Sequence, residues 1–231
     1  MNAPHISKPV LHFFRWIVRG WFQFHFTSVL ALNTKPFTQA AETGPLIIYC
    51  NHSSWWDPMI GVLLAAKFLP RRTHFAPIDE ASLGKNRMLG KIGLFPLDIH
   101  SARAGKQFLQ IAGNILSRQG VLWMTPQGRF ADTRESILAF KPGLASLVSR
   151  LGECTLIPLA VEYPFWNERR PRALVHFGEP IVVSYRVSKP ALTRRLEEAL
   201  QQTMDELRTQ SLTRDPANFT RLPLWRKATG V

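Results

Sequence analysis

The sequence predicts an α/β fold, a mostly parallel central sheet flanked by helices, with an amphipathic helical segment ahead of it. Three observations carry that expectation. Short apolar runs such as 45–50 and 156–161 are rich in β-branched and aromatic residues and bounded by Gly, Pro or polar residues, as buried strands are. Between such runs lie stretches with apolar residues at helical spacing, and this alternation is the pattern of helices packed on a parallel sheet. The chain has 231 residues, enough to bury such a core, and no solenoid period or low-complexity stretch competes with it.

The first element expected is a helix over 10–32, VLHFFRWIVRGWFQFHFTSVLAL, crowded with Phe13, Phe14, Trp16, Trp21, Phe22, Phe24 and Phe26. Arg15 and Arg19 are four apart and share a helical face. A membrane-spanning helix wants ~20 largely uncharged residues, so arginines in the middle speak against a simple span. An aromatic face opposed by arginines is the pattern of a helix lying in the headgroup layer of a membrane. A core helix whose arginines reach solvent is the competing reading, and a bound helical hairpin broken near Gly20 is a variant of the first.

After a loop over 33–44, the run 45–50 is the first strand of the body, and Asp57-Pro58 looks like a helix start, Asp as N-cap and Pro at the first helical position. A helix over 59–68 follows. Strands are expected at 73–77, 94–99, 121–124, 156–161, 173–177 and 181–183, and helices at 82–92, 105–118 and 142–151. From 189 to 210 the chain reads as one amphipathic helix, with Leu192, Leu196, Leu200, Met204 and Leu207 forming a packing stripe. The tail from 212 to 231, with Pro216, Pro223 and Trp225, reads as irregular and basic. This divides the chain into an N-terminal membrane-associating segment (1–40), an α/β domain (41–187) and a C-terminal helix with a basic tail (188–231).

Lys and Arg number 29 against 16 Asp and Glu, a formal net charge of +13. Such a surplus implies a polyanionic partner, nucleic acid or an anionic membrane surface. No helix-turn-helix, zinc-finger or aromatic-strand signature accompanies it, so nucleic acid is not expected. Two cysteines, Cys50 and Cys154, lack CxxC spacing, which excludes a zinc ribbon or a disulfide framework and suits a reducing compartment. No cleavable secretory signal is convincing. The expected location is therefore peripheral or monotopic, on the cytoplasmic face of the inner membrane.

The segment Asn51-His52-Ser53-Ser54-Trp55-Trp56-Asp57-Pro58 carries the candidate chemistry. Residues five apart do not face each other on one continuous helix, so His52 and Asp57 meet only across a turn. The strand before and the helix start after supply that turn. A carboxylate on one imidazole nitrogen fixes the tautomer and leaves the other nitrogen as a base. A histidine beside a strand end is, by spacing alone, more often structural than catalytic.

Asn51-His52 with Asp57-Pro58 after a strand resembles the His-x4-Asp signature of the glycerolipid acyltransferase family, which includes the lysophosphatidic acid acyltransferases. Further blocks follow in the family's order: Gly93-Leu94-Phe95-Pro96-Leu97-Asp98, Thr125-Pro126-Gln127-Gly128-Arg129, Phe140-Lys141-Pro142-Gly143, Ile157-Pro158-Leu159-Ala160 and Phe177-Gly178-Glu179-Pro180. The resemblance covers 45–181. It implies that His52, oriented by Asp57, takes the proton of an acceptor hydroxyl that attacks the thioester of acyl-CoA or acyl-carrier protein. No metal, cofactor or covalent acyl-enzyme is implied. Amides of the Pro126-Gln127-Gly128 turn would hold the acceptor or the oxyanion, with Asn51 and Ser53 flanking the base and His100 lining the site.

Two blocks depart from the family's pattern. An arginine usually follows the aspartate of the second block, where this chain has Ile99-His100. The third usually reads Phe-Pro-Glu-Gly-Thr-Arg, whereas here Gln127 replaces the acid and Arg129 and Phe130 fill the last two places. In the family those arginines and the glutamate are linked to the glycerol phosphate of the acceptor, which needs fixed cationic donors. Arg103, Lys106, Arg129 and Lys141 are the cations near these blocks; each also reads as a solvated surface charge. The acceptor expected is a lysolipid or another hydroxylated or amine lipid. Two other functions use the same residues: a lipid ester or thioester hydrolase, and a catalytically weak lipid-binding membrane module.

Overall fold

A computed structural model describes residues 4–35, 44–98, 101, 103–184 and 187–224. The chain begins with α1 (Lys8–His25), β1 (Ser28–Leu32), β2 (Leu46–Cys50), α2 (Asp57–Phe68), β3 (His74–Asp79), α3 (Glu80–Lys85), a 3-10 helix (Arg87–Ile92) and β4 (Leu94–Leu97). It continues with α4 (Ala104–Ser117), β5 (Val121–Met124), α5 (Gly143–Leu151), β6 (Cys154–Glu162), β7 (Arg172–Phe177), β8 (Ile181–Val183), α6 (Lys189–Leu212), a 3-10 turn (Pro216–Asn218) and β9 (Thr220–Arg221). The strands form one sheet in the order β4-β3-β5-β2-β6-β7-β1-β9, with β8 also on β6. The pairings β1–β7, β2–β5, β2–β6, β3–β4 and β3–β5 are parallel, so the sheet is mostly parallel as predicted.

β2 sits at the centre, and every one of its residues is buried. Alternate side chains on a strand leave opposite faces. Ile47 and Tyr49 accordingly join the core beneath α4, α5 and α6, while Leu46, Ile48 and Cys50 join the one beneath α1 and α2. Tyr49 reaches through the first core to donate its hydroxyl to the Leu196 carbonyl, 3.2 Å away. The stripe from Leu192 to Leu207 on α6 is buried against the sheet.

The helix expected over 10–32 is shorter. It ends at His25, Phe26 is extended, and Ser28–Leu32 is a strand parallel to β7, from Ser28 beside Arg172 to Leu32 beside His176. A continuous apolar run has no periodicity to separate strand from helix, and flanked by β7 and β9 this one is buried on both sides. α1 buries Phe14, Val18 and Phe22 and leaves Phe13, Trp16, Trp21 and Phe24 exposed, so it is at once a core helix and a helix with an aromatic outer face. The helix expected over 82–92 breaks at Asn86 into α3 and the 3-10 helix, where Gly84 and Gly90 weaken continuous helix. Gly93 then turns at φ +107, with a hypothetical Cβ only 2.2 Å from the His74 carbonyl oxygen, so this position is closed to other residues.

The tail expected to be irregular returns to the sheet: Thr220 and Arg221 pair antiparallel with β1, and Leu222 is buried. Trp225 lies outside the described residues. The stretches 1–40, 41–187 and 188–231 thus all contribute to one sheet and its two cores.

His74 on β3 ties the sheet to α2. Its Nδ1 accepts from Trp123 Nε1 at 3.1 Å, and its Nε2 donates to the Leu69 carbonyl at 2.9 Å, an arrangement that needs the neutral ring. Burial lowers its pKa from 6.5 to about 4. Below pH 6.5 the unfolded chain takes up a proton that the folded chain refuses, so stability falls by up to ~1.4 kcal/mol per pH unit until the folded-state value is reached. Denaturant unfolding of wild type and His74→Gln between pH 7 and pH 4 should show a steeper loss in the wild type (about one proton's worth); parallel curves would contradict the assignment.

Candidate active site

The carboxyl ends of β5, β2 and β6 lie side by side on one sheet edge, because these three strands are neighbours and parallel. The turn after each contributes to one cluster, in keeping with the placement of sites in open parallel sheets. The turn after β2 carries His52 and leads into α2 at Asp57. His52 Nδ1 lies 2.8 Å from Asp57 Oδ2, with the aspartate side chain 1% exposed and the histidine side chain 18% exposed. Asp57 Oδ2 also accepts the Ser54 N–H at 3.0 Å, and Oδ1 accepts the Tyr163 hydroxyl at 2.8 Å. Asp57 is the first residue of α2 rather than its N-cap. Trp56 holds the cap position without a side-chain hydrogen bond, and the aspartate serves the turn instead.

Three donors converging on a buried carboxylate fix it in place. The contact to Nδ1 requires that nitrogen to carry the proton, leaving Nε2 with a lone pair. Among the described residues Nε2 has no hydrogen-bond partner. Tyr163, at the end of β6, is held protonated far above its ordinary range by burial and then by the adjacent aspartate, so it remains a donor. Its ring packs 5.6 Å from Phe26, which lies 5.0 Å from Trp56 and 4.7 Å from Phe22. This aromatic chain fastens α1 to the back of the turn.

The main chain of His52 is clamped as firmly as its ring. Its N–H donates to Gln127 Oε1 at 3.3 Å, and its carbonyl accepts from the Ala131 N–H at 2.7 Å. Gln127 is buried, and it belongs to a turn after β5 closed by Gly128 N–H on the Thr125 carbonyl at 3.0 Å. Gly128 has φ +61, and a Cβ there would meet the Lys141 side chain at 2.8 Å. Lys141 donates its own N–H to the Pro126 carbonyl at 2.9 Å. The loop from 125 to 141 therefore folds back over the turn that holds His52.

Several residues expected to touch substrate have other places. Asn51 is buried, and its amide forms two bonds with Val161, Nδ2 to the carbonyl at 3.0 Å and Oδ1 from the N–H at 2.8 Å. It extends the β2–β6 ladder by one step and positions the turn. The Ser53 hydroxyl oxygen is shut off from solvent and has no partner among the described residues. Gln127 binds the protein's own backbone. Arg129 forms a two-pronged pair with Glu135. Arg103 is exposed just ahead of α4, and Lys141 is exposed with Nζ 3.4 Å from the Gly128 carbonyl oxygen. His100 lies outside the described residues. Cys50 is buried, its thiol pushed up by burial and then by Asp57, which makes it inert. Glu162 faces α6, where burial raises its carboxyl against a hydrogen bond from Ser211 and the charge of Arg208.

Two site residues escaped the sequence reading. Tyr163 had one signal, an aromatic hydroxyl at the carboxyl end of a strand. Phe130 had another, an aromatic where the acyltransferase pattern has arginine; its ring lies 4.3 Å from the His52 ring at 32°. Among the described residues no group of three or more His, Cys, Asp or Glu is arranged to hold a metal ion.

Comparison with known proteins bears on this site directly. A protein-family model described as Acyltransferase matches residues 33–162, which spans β2 to the end of β6 and contains His52, Asp57 and Gln127, stopping one residue short of Tyr163. The crystal structure of the 1-acyl-sn-glycerophosphate (LPA) acyltransferase PlsC from Thermotoga maritima superposes with a TM-score of 0.64 at 17% sequence identity, covering 86% of this chain and 79% of that one. At that identity the likeness speaks for the fold alone. No curated protein matches the sequence.

Proposed function

The chain belongs to the acyltransferase family, and from that premise we propose that it moves a fatty acyl chain from acyl-CoA or acyl-carrier protein to a hydroxyl or amine of a lipid acceptor. The observation that carries this reading is the 2.8 Å contact between His52 Nδ1 and the buried Asp57 carboxylate. It leaves Nε2 as a base at a partly exposed position. In the proposed step Nε2 takes the acceptor's proton as its oxygen or nitrogen bonds to the thioester carbonyl carbon. The carbon–sulfur bond then breaks, and the proton passes from His52 to the departing thiolate. Asp57 stabilises the transient imidazolium, as the carboxylate does in a Ser-His-Asp triad, with the acceptor's own group in place of the serine. In the 126–128 turn Pro126 has no N–H and the Gly128 N–H is held by the Thr125 carbonyl, so the Gln127 N–H is the proposed donor to the oxyanion.

The proposal includes a place of work: the cytoplasmic face of the inner membrane, held by α1 as a peripheral or monotopic anchor on an anionic surface. Among the described residues no helix is long and apolar enough to cross a membrane. What supports surface docking is the outer face of α1, where Phe13, Trp16, Trp21 and Phe24 are 53%, 57%, 38% and 74% exposed. Trp21 also packs against exposed Trp55, 6.0 Å between rings, which joins this face to the turn bearing His52.

Thiol release from long-chain acyl-CoA and acyl-carrier protein, measured with a panel of lipid acceptors, tests the reaction. Release should require an acceptor and drop by about 10²- to 10⁴-fold in His52→Ala. Release without any acceptor would identify a hydrolase, and no His52-dependent release would leave a binding module. Flotation with anionic vesicles tests the anchor: Trp16→Glu with Phe24→Glu should weaken binding by about tenfold or more, and equal flotation would contradict it.

A further inference from the structure

The loop joining β5 to α5 supports and covers His52, but its charged side chains have no part in the proton transfer just described. It holds three cations, Arg129, Arg134 and Lys141, and two acids, Asp132 and Glu135. Both arginines already have carboxylate partners inside the loop, and Lys141 gives one of its three N–H groups to a carbonyl there. Arg129 grips Glu135 with both terminal nitrogens, and Glu135 is anchored by the Asp132 N–H at 3.1 Å. Arg134 grips Asp132 through Nε and one terminal nitrogen, at 2.8 Å and 2.6 Å. Lys141 lies along Gly128 with Nζ toward its carbonyl.

The group lying on the imidazole is instead aromatic. Phe130 packs against the His52 ring with the two planes tilted by 32°, and it is 59% exposed, so much of its ring stays open to solvent. An aromatic face carries the negative end of a quadrupole; it repels an anion and receives C–H groups. A phosphate needs donors that are not already engaged, and to recruit Arg129 it would have to displace Glu135.

We infer that the acceptor lipid carries an uncharged, hydroxyl-bearing headgroup, and that Phe130 sets this selectivity by stacking on the headgroup beside His52. The inference rests on the acyl-transfer reading and narrows it. The chemistry is unchanged: the acceptor oxygen bonds to the acyl carbon, the carbon–sulfur bond breaks, and the hydroxyl proton passes through His52 to the thiolate.

The test is acyl transfer by the full chain to monoacylglycerol, an alkyl glucoside and lysophosphatidic acid, with both thioester donors, for wild type, Phe130→Arg and His52→Ala. Wild type should favour at least one uncharged acceptor over lysophosphatidic acid by about tenfold or more in kcat/KM, and Phe130→Arg should move that ratio toward lysophosphatidic acid by a similar factor. Wild type preferring lysophosphatidic acid, with His52-dependent turnover, overturns the selectivity and leaves acyl transfer standing. A ratio unchanged in Phe130→Arg removes Phe130 as its determinant. No His52-dependent transfer to any acceptor overturns the acyl-transfer reading and this inference with it.

Discussion

The carboxylate of Asp57 is where the chain's separate parts meet. It receives His52 Nδ1 and the Ser54 N–H from its own turn, and the Tyr163 hydroxyl from the end of β6. A buried carboxylate is tolerated only when such donors surround it, so the constraint runs outward. His52 must leave β2 at the right height, α2 must begin at Asp57, and β6 must end beside β2. The strand order supplies all three, because β2 is paired in parallel on both edges. Asn51 then locks the turn to β6 with a side chain that imitates a peptide unit.

The same logic explains why a glutamine serves at position 127. Its amide oxygen accepts the His52 N–H, a role that needs an acceptor and no charge. With Ala131 bound to the His52 carbonyl, the loop from 125 to 141 becomes part of the histidine's support as well as its cover. On the other side, Phe22, Phe26 and Trp56 pack α1 against the turn. The aromatic outer face of α1 is thereby connected through packed rings to the residues around the base.

Much of this was legible in the sequence, for physical reasons that can be named. The body strands announced themselves because a strand buried on both faces is an uninterrupted apolar run. The meeting of His52 and Asp57 was legible because it is local, a single turn between a strand and a helix start. What stayed hidden depends on which strands become neighbours. Tyr163 reaches Asp57, and Asn51 reaches Val161, only through the β2–β6 pairing, which joins positions more than a hundred residues apart. Polar residues beside a base suggest ligands, but Asn51 and Gln127 instead satisfy backbone groups. The strand at Ser28–Leu32 is hidden because its apolar run continues that of α1 and its pairing with β7 joins distant positions, Ser28 with Arg172. Phe130 was legible only as a departure from a pattern, and its position over His52 comes from the fold of the loop.

Asp57 holds His52 as the tautomer with a proton on Nδ1 and a lone pair on Nε2. A histidine tautomer is inferred from its hydrogen-bond partners, so it calls for direct observation. Nitrogen-15 NMR of the histidine rings, assigned by comparison with His52→Ala, reads it at a pH where the ring is neutral. His52 should show a protonated Nδ1 and an unprotonated Nε2, with that preference weakened in Asp57→Asn. A proton on Nε2 in the wild type would contradict it, because the nitrogen assigned to take the acceptor's proton would already be occupied.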